Sequence, residues 1–456
     1  MIPTTPAGQQ LQAFLDFLRT PAPERIGPHI AEHEGRDEPW LEAAYGNYLH
    51  DFGGLRLQFI RVVESTDYRL TMVAQSEPYD LYIKFEIGVS PEPPHRIEFL
   101  WPYAILRPAD LPPLPALTEQ EMLRTSSELL QALAQKERFS GSLLIAKDGV
   151  PLLQEAWGLA SRAYQIPNRI DTKFNLASMN KMFTAVATLQ LVQEGKLNLT
   201  DPVARHLPHY PKPAADQITI HHLLSHTSGL GSFWNEQWQQ AKARLRTVAD
   251  FLPLFQDEPL TYQPGERYQY GNNAFVLLGA IIEAVSGEDY FDYVRDHVYR
   301  PAGMVDTDAY PVDEDVPNLA MGYTHIDYRD QFHPDRLFNI LLKHVAKGGP
   351  AGGGFSTAPD LLGFAEALMA HRLLSPELTE LLVTNKSGDH HYAYGFEAQE
   401  THRSRVVGHA GGHPGISTYL DIFPDRGYVV VALGNCDGPA TYWVRDKIRE
   451  LIDRIP

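Results

Sequence analysis

Apolar positions recur with two different periods along the chain, and the changes of period divide it. From Gln9 to Arg19, Leu11, Phe14, Leu15 and Leu18 share one helical face. Four runs of partial alternation follow, Leu55–Val63, Tyr68–Ala74, Asp80–Gly88 and Arg96–Trp101, separated by Ser, Thr, Asp and Pro turns. Helix followed by meander predicts a small α+β domain over residues 1–106. The stretch Arg107-Pro-Ala-Asp-Leu-Pro-Pro-Leu-Pro115 can neither continue a helix nor enter a sheet interior, because proline has no N–H to donate. Residues 107–117 therefore read as a linker.

Beyond it the pattern restarts. Thr118, with Glu121 three residues on, predicts a capped helix to about Lys136. Gly141–Lys147 and Val150–Gly158 read as strands joined by a tight turn at Lys147-Asp148-Gly149. Helical signals dominate from about Ser178 to Lys343, including the apolar run Ala274–Val285, and Thr357 opens another helix to about Ala370. Strand patterns return at Arg405–His409, Ser417–Phe423 and Tyr428–Leu433, before a last helix from about Ala440 to Ile452. Sheet segments from both ends of residues 118–456 thus enclose a helical region.

Composition acts by exclusion. The chain has 456 residues with 39 Lys+Arg against 57 Asp+Glu, a net charge of −18, which disfavours a phosphate backbone as partner. One cysteine, Cys436, excludes an intrachain disulfide and a cysteine-based metal cluster. The run Ala274–Val285 is too short for the roughly 20 residues a bilayer needs, so no membrane span is expected. The N-terminus shows no basic region followed by an apolar one, and the expected location is cytoplasmic.

Candidate chemistry lies in three short motifs. Ser178-Met179-Asn180-Lys181 puts a hydroxyl and an amine one helical turn apart, and a neutral amine there can take the hydroxyl proton. It is the only Ser-x-x-Lys in the chain. Tyr270-Gly271-Asn272 offers a phenol for proton relay and an amide for a substrate carbonyl. The same tripeptide pattern also occurs at Tyr45-Gly46-Asn47, so it has little weight alone. Third is His409-Ala410-Gly411-Gly412 at a strand end, where small residues let a substrate approach and a backbone N–H can face an oxyanion.

In this order, and between sheet segments from both ends, the motifs make residues 118–456 resemble the serine β-lactamase and penicillin-binding protein superfamily. The resemblance is to the class C β-lactamase, DD-peptidase and family VIII carboxylesterase branch. His222-Leu-Leu-Ser-His-Thr-Ser-Gly-Leu230, Pro264-Gly-Glu-Arg-Tyr-Gln-Tyr270 and Gly352-Gly-Gly-Phe-Ser-Thr357 add to it. It implies an α/β (α+β) fold, an antiparallel sheet flanked by helices with a helical subdomain, after the small N-terminal domain. The element order of residues 1–106 is similar to NTF2-like or cystatin-like folds.

The resemblance also implies roles. Ser178 stands as the acylated nucleophile, Lys181 as its proton acceptor, Tyr270 as general acid/base and Asn272 as the substrate-orienting amide. The backbone N–H groups of Ser178 and Gly412 would form the oxyanion hole, beside His409, Ala410 and Gly411. The implied activity is hydrolysis of small carboxylic esters or amides without cofactor or metal. A D-amino-acid peptidase or DD-carboxypeptidase, a weak β-lactamase, or a penicillin-binding sensor with little turnover are the alternatives. His409 replaces the lysine of the family's Lys-Thr-Gly motif and Ala410 its hydroxyl residue, which weakens an anchor for a β-lactam carboxylate.

Trp234 and His413 are candidate cleft residues. Phe233, Trp234 and Trp238 serve equally well as packing. His221, His222 and His226 recur at helical spacing, but in a stretch that resembles a structural loop of the family, so they are not read as metal ligands. The glycines from Gly348 to Gly354 are expected to form a turn approaching the cleft. A homo-oligomer through the N-terminal domain is the remaining partner expectation.

Overall fold

The first helix begins where its apolar face begins. Thr5 accepts a hydrogen bond from the Gly8 N–H, Pro6 takes the first turn, and α1 (Pro6–Arg19) buries Leu11, Phe14, Leu15 and Leu18. The structure, a computed structural model, describes residues 1–456 apart from Pro39, Pro78, Pro213 and Pro439. Two helices follow that the apolar spacing did not mark, α2 (Ile26–His33) and α3 (Leu41–Phe52). Then β1 (Arg56–Ser65), β2 (Arg69–Glu77), β3 (Leu81–Val89) and β4 (Ile97–Ile105) form a four-stranded antiparallel meander in sequence order. No helix or strand lies between Ile105 and Glu119. Thr118 and Glu121 close a reciprocal capping box at the start of α4 (Glu119–Gln135).

Contacts group the chain into two units. One comprises Met1–Phe139, Tyr323–Asn339 and Cys436–Pro456. It takes in α4 and the terminal helix Arg445–Asp453, which pack on each other, whereas the sequence boundary at residue 118 places both with the second region. The other unit comprises Ser140–Gly322 and Ile340–Asn435 and carries all three motifs.

The second unit is built on a six-stranded antiparallel sheet whose strands come from both ends of its sequence. In chain order they are β5 (Gly141–Lys147), β6 (Val150–Trp157), β7 (Glu397–Glu400), β8 (Arg405–His413), β9 (Ile416–Phe423) and β10 (Tyr428–Gly434). Their spatial order is β7-β8-β9-β10-β5-β6. The strand pair β7–β8 covers only Arg405 to Gly408, so the rest of β8, from His409 to His413, has an edge that no strand covers.

Helices α5 (Asn180–Gln193) and α6 (Asn273–Ser286) pack on each other, and α7 (Ala358–Met369) packs on β10 and β5. Every residue from Ala274 to Ile282 is buried, which explains the unbroken apolar run. Each fully buried Leu, Ile or Phe there contributes about 1.5–3 kcal/mol over an exposed one. The expected helical region is shorter than its sequence signal. The last helix before α7 is Arg300–Ala302, closed at Gly303, and residues 303–357 contain only two-residue strands among the described residues. Pro311, Pro317, Pro334 and Pro350 interrupt that segment, each removing a helical donor. No helix among the described residues is long and apolar enough to cross a membrane.

Candidate active site

Ser178 sits in a tight 3₁₀ turn, Ala177–Met179, that opens α5. Ala177 has φ +44°, a left-handed conformation that costs a non-glycine residue about 1–3 kcal/mol and persists only when its surroundings hold it. Here they do. The Ala177 N–H donates to Asn175 Oδ1 at 2.9 Å, and its carbonyl accepts from the Gly353 N–H at 3.1 Å. The Leu176 N–H donates to the Gly354 carbonyl at 2.8 Å. From the other side β8 presses on the same segment: a Cβ on Gly411 would stand 2.1 Å from the Leu176 carbonyl oxygen and 2.6 Å from Thr418 Oγ1. Gly411 is thus required by packing, and the glycine turn expected near the cleft clamps the Ser178 turn from above.

Lys181 is completely buried one turn further on. Its Nζ has three uncharged partners: Ser178 Oγ at 3.1 Å, Asn272 Oδ1 at 2.8 Å and the Ala351 carbonyl at 2.6 Å. Burial holds its amine well below the usual lysine range. A neutral amine has two N–H groups and one lone pair. Two carbonyl oxygens accept both N–H groups, which leaves the lone pair for the Ser178 hydroxyl. With the amine neutral, the Asn272 and Ala351 oxygens thus set its orientation and turn its lone pair toward Ser178 Oγ.

Tyr270 is 39% exposed, and Lys181 Nζ lies 4.8 Å from its ring centroid. The Asn272 N–H donates to Ser232 Oγ at 3.0 Å, so the amide is fixed at its backbone as well as by Lys181. His409 is buried, with Nε2 2.9 Å from the Tyr392 hydroxyl and Nδ1 facing the Ala410 carbonyl. Burial, then Tyr270, raise the Tyr392 phenol far above its usual range, so it keeps its proton and can donate to His409 Nε2. The ring nitrogens of His409 thus have protein partners. The Ala410 N–H donates to Glu397 Oε1 at 3.2 Å, away from β9. Strand alternation places the Gly412 N–H on that same uncovered edge.

A cleft opens beside Ser178. Ser178, Asn272 and Gly412 line it, together with both sequence candidates Trp234 and His413. Phe233, Trp238, Phe251 and Val276 form an apolar wall, with Trp234 and Trp238 edge to face at 4.5 Å. Trp234 is half-exposed and Trp238 buried, and both rings line the cleft. Lys343 also lines the cleft. Lys181, Tyr270, His409, Ala410 and Gly411 are not among its lining residues.

Sequence reasoning passed over Asn175, Ser232, Ala351 and Tyr392. Ala351 contributes only a carbonyl and lies 170 positions from Lys181, so no local pattern marks it. Tyr392 and Asn175 sit in no motif. Ser232, two residues beyond Leu230 of the His222–Leu230 stretch, was within reach of that signal.

The family model described as Beta-lactamase matches residues 127–453, and the chain belongs to that family. A penicillin-binding protein of Bacillus subtilis (strain 168) is 30% identical over 332 residues, 69% of this chain and 72% of that one. Esterase EstB of Burkholderia gladioli is 33% identical over 280 residues, 54% of this chain and 70% of the esterase. The crystal structure of a penicillin-binding protein from Bacillus halodurans superposes with a TM-score of 0.64 at 32% identity, covering 71% of this chain and 98% of that one. The antiparallel sheet flanked by helices is accordingly the β-lactamase-like fold, in a superfamily of hydrolases.

Proposed function

We propose that the protein is a serine hydrolase that forms an acyl-enzyme at Ser178 and acts on small carboxylic esters or amides with an apolar acyl group. The observation that carries the reading is the buried Lys181 amine, 3.1 Å from Ser178 Oγ and surrounded by uncharged partners. As Ser178 Oγ attacks the carbonyl carbon, its proton passes to Lys181 Nζ, and the Ser178 and Gly412 N–H groups receive the oxyanion. Tyr270 gives its phenol proton to the departing alcohol or amine and regains one from the Lys181 ammonium. Water then adds to the acyl carbon, and its protons leave the free acid and a reprotonated Ser178. Asn272 orients the substrate carbonyl while its Oδ1 holds Lys181.

The wall of Phe233, Trp234, Trp238 and Phe251 supports an apolar acyl group. Esterase EstB supports ester chemistry by relation. A carboxylate-bearing β-lactam is less well served, since Tyr392 and the Ala410 carbonyl already occupy His409. The penicillin-binding relatives favour a second reading, a D-amino-acid peptidase or penicillin-binding protein.

A panel of p-nitrophenyl esters of increasing acyl length, nitrocefin and D-amino-acid amides separates the two. Turnover highest with the longer apolar esters and abolished in Ser178→Ala is expected. Undiminished ester turnover in Ser178→Ala would end the acyl-enzyme reading, and turnover confined to the amides would move the assignment to the peptidase.

A further inference from the structure

His226 takes no part in the chemistry just described, yet it holds Tyr270 and both of its chain neighbours. It follows the short helix Ile220–Leu224 in a left-handed conformation, φ +56°, and is buried. Its carbonyl accepts from the Gln269 N–H at 2.9 Å, and its Nδ1 accepts from the Gly271 N–H at 3.3 Å. Its ring lies against the Tyr270 ring at 4.4 Å between centroids. Both chain neighbours of Tyr270 are therefore hydrogen-bonded to one residue, by its backbone on one side and its imidazole on the other.

A histidine that merely filled a core position would need volume only, which phenylalanine or leucine could supply. Neither could accept the Gly271 N–H. The segment has little other freedom, because a Cβ on Gly271 would stand 2.5 Å from the Gly231 carbonyl oxygen. The imidazole is packed among the rings of Tyr268, Phe275 and Tyr392. With Nδ1 accepting, a neutral ring carries its proton on Nε2, which has no hydrogen-bond partner among the described residues. That exposes the arrangement's cost: one ring nitrogen is left unsatisfied while the other holds the Tyr270 segment. Phe275 links the same ring to the amine, since Lys181 Nζ lies 5.7 Å from the Phe275 centroid.

We propose that His226 is a positioning residue for Tyr270, fixing where the phenol stands relative to Lys181 by holding the residues on either side of it. The proposal rests on the reading that Tyr270 moves a proton during acyl transfer at Ser178. His226 meets no substrate in this account, so its loss should act on kcat and leave KM nearly unchanged. Asparagine offers the decisive control, because its Oδ1 stands as many bonds from the backbone as Nδ1 and can still accept.

The test is steady-state ester hydrolysis by His226→Phe, His226→Asn, Tyr270→Phe and the double variant His226→Phe/Tyr270→Phe, with thermal melts of each. His226→Phe is expected to lower kcat roughly 10- to 100-fold, as sub-ångström to ångström misplacement of a reacting group does, with KM within about twofold. His226→Asn should recover kcat to within about threefold of the unaltered protein. In the Tyr270→Phe background the histidine change should cost less than about twofold more, since the group it positions is gone. If the phenylalanine variant fails to fold, His226→Leu takes its place in the same comparison. Equal losses in the asparagine and phenylalanine variants, a raised KM with kcat retained, or fully multiplicative losses in the double variant would overturn the positioning role. Full turnover in Tyr270→Phe alone would instead overturn the reading of Tyr270, and this proposal with it.

Discussion

The chain contains Tyr-Gly-Asn twice, and the two copies have opposite fates. Tyr45-Gly46-Asn47 lies inside helix α3. Its phenol is buried, packs edge-on against Phe14 and Phe17, and donates to Glu34 Oε1 at 2.6 Å. Burial, and then Glu34, push that phenol well above its usual range, so its proton is fixed in place. Tyr270-Gly271-Asn272 lies on an irregular segment ahead of α6, with its phenol partly open to solvent and its asparagine bonded to a buried lysine. A tripeptide carries no chemistry of its own. A partly exposed phenol beside a desolvated amine can exchange a proton, whereas a buried phenol on a carboxylate can only hold one.

Removing each hydroxyl in turn separates the two tyrosines. Tyr270→Phe is expected to lower kcat by about 10²–10⁴-fold, the usual worth of positioned proton transfer, with an unchanged melting curve. Tyr45→Phe should leave kcat within about twofold and cost instead about 1–3 kcal/mol of stability, because Glu34 loses a buried donor. Equal kinetic losses in the two variants would erase the distinction. The asparagines should part in the same way by a smaller margin. Asn272→Ala removes a partner of Lys181 and is expected to lower kcat about 10²-fold, while Asn47→Ala should be kinetically silent.

A subtler effect follows from the buried amine. Lys181 has a folded pKa depressed far below 10.5, so between that folded value and 10.5 the unfolded chain binds the proton that the folded chain lacks. Stability therefore rises with pH across that window. Lys181→Met should be more stable than the unaltered protein at pH 7, with the gap narrowing toward pH 10 in denaturant titrations. A gap that widens with pH would mean that Lys181 is charged in the fold.

Much of this was legible in the sequence because it is local. The spacing of Leu11, Phe14, Leu15 and Leu18 marks α1, the Thr118–Glu121 pair marks α4, and Ser178 with Lys181 needs only one helical turn to meet. The missing parts are long-range. Ala351 reaches Lys181, Gly353 holds Ala177, and Tyr392 meets His409 through chain crossings that no periodicity encodes. The left-handed turn at Ala177 had no glycine to announce it. Apolar spacing between Gly303 and Lys343 reads as helical, but prolines break the hydrogen-bond ladder there and no helix forms among the described residues. Gly411 was visible as a small residue, but its service to the Leu176 backbone appears only once β8 is placed.

Covalent labelling reads out directly whether Ser178 carries an acyl group. The protein would be treated with a fluorophosphonate, digested and mapped by mass spectrometry, alongside Ser178→Ala. A single adduct on the peptide containing Ser178, absent from the alanine variant and strongly slowed in Lys181→Met, is the result expected. An adduct on another residue, or turnover that persists while Ser178 stays unlabelled, would contradict the account.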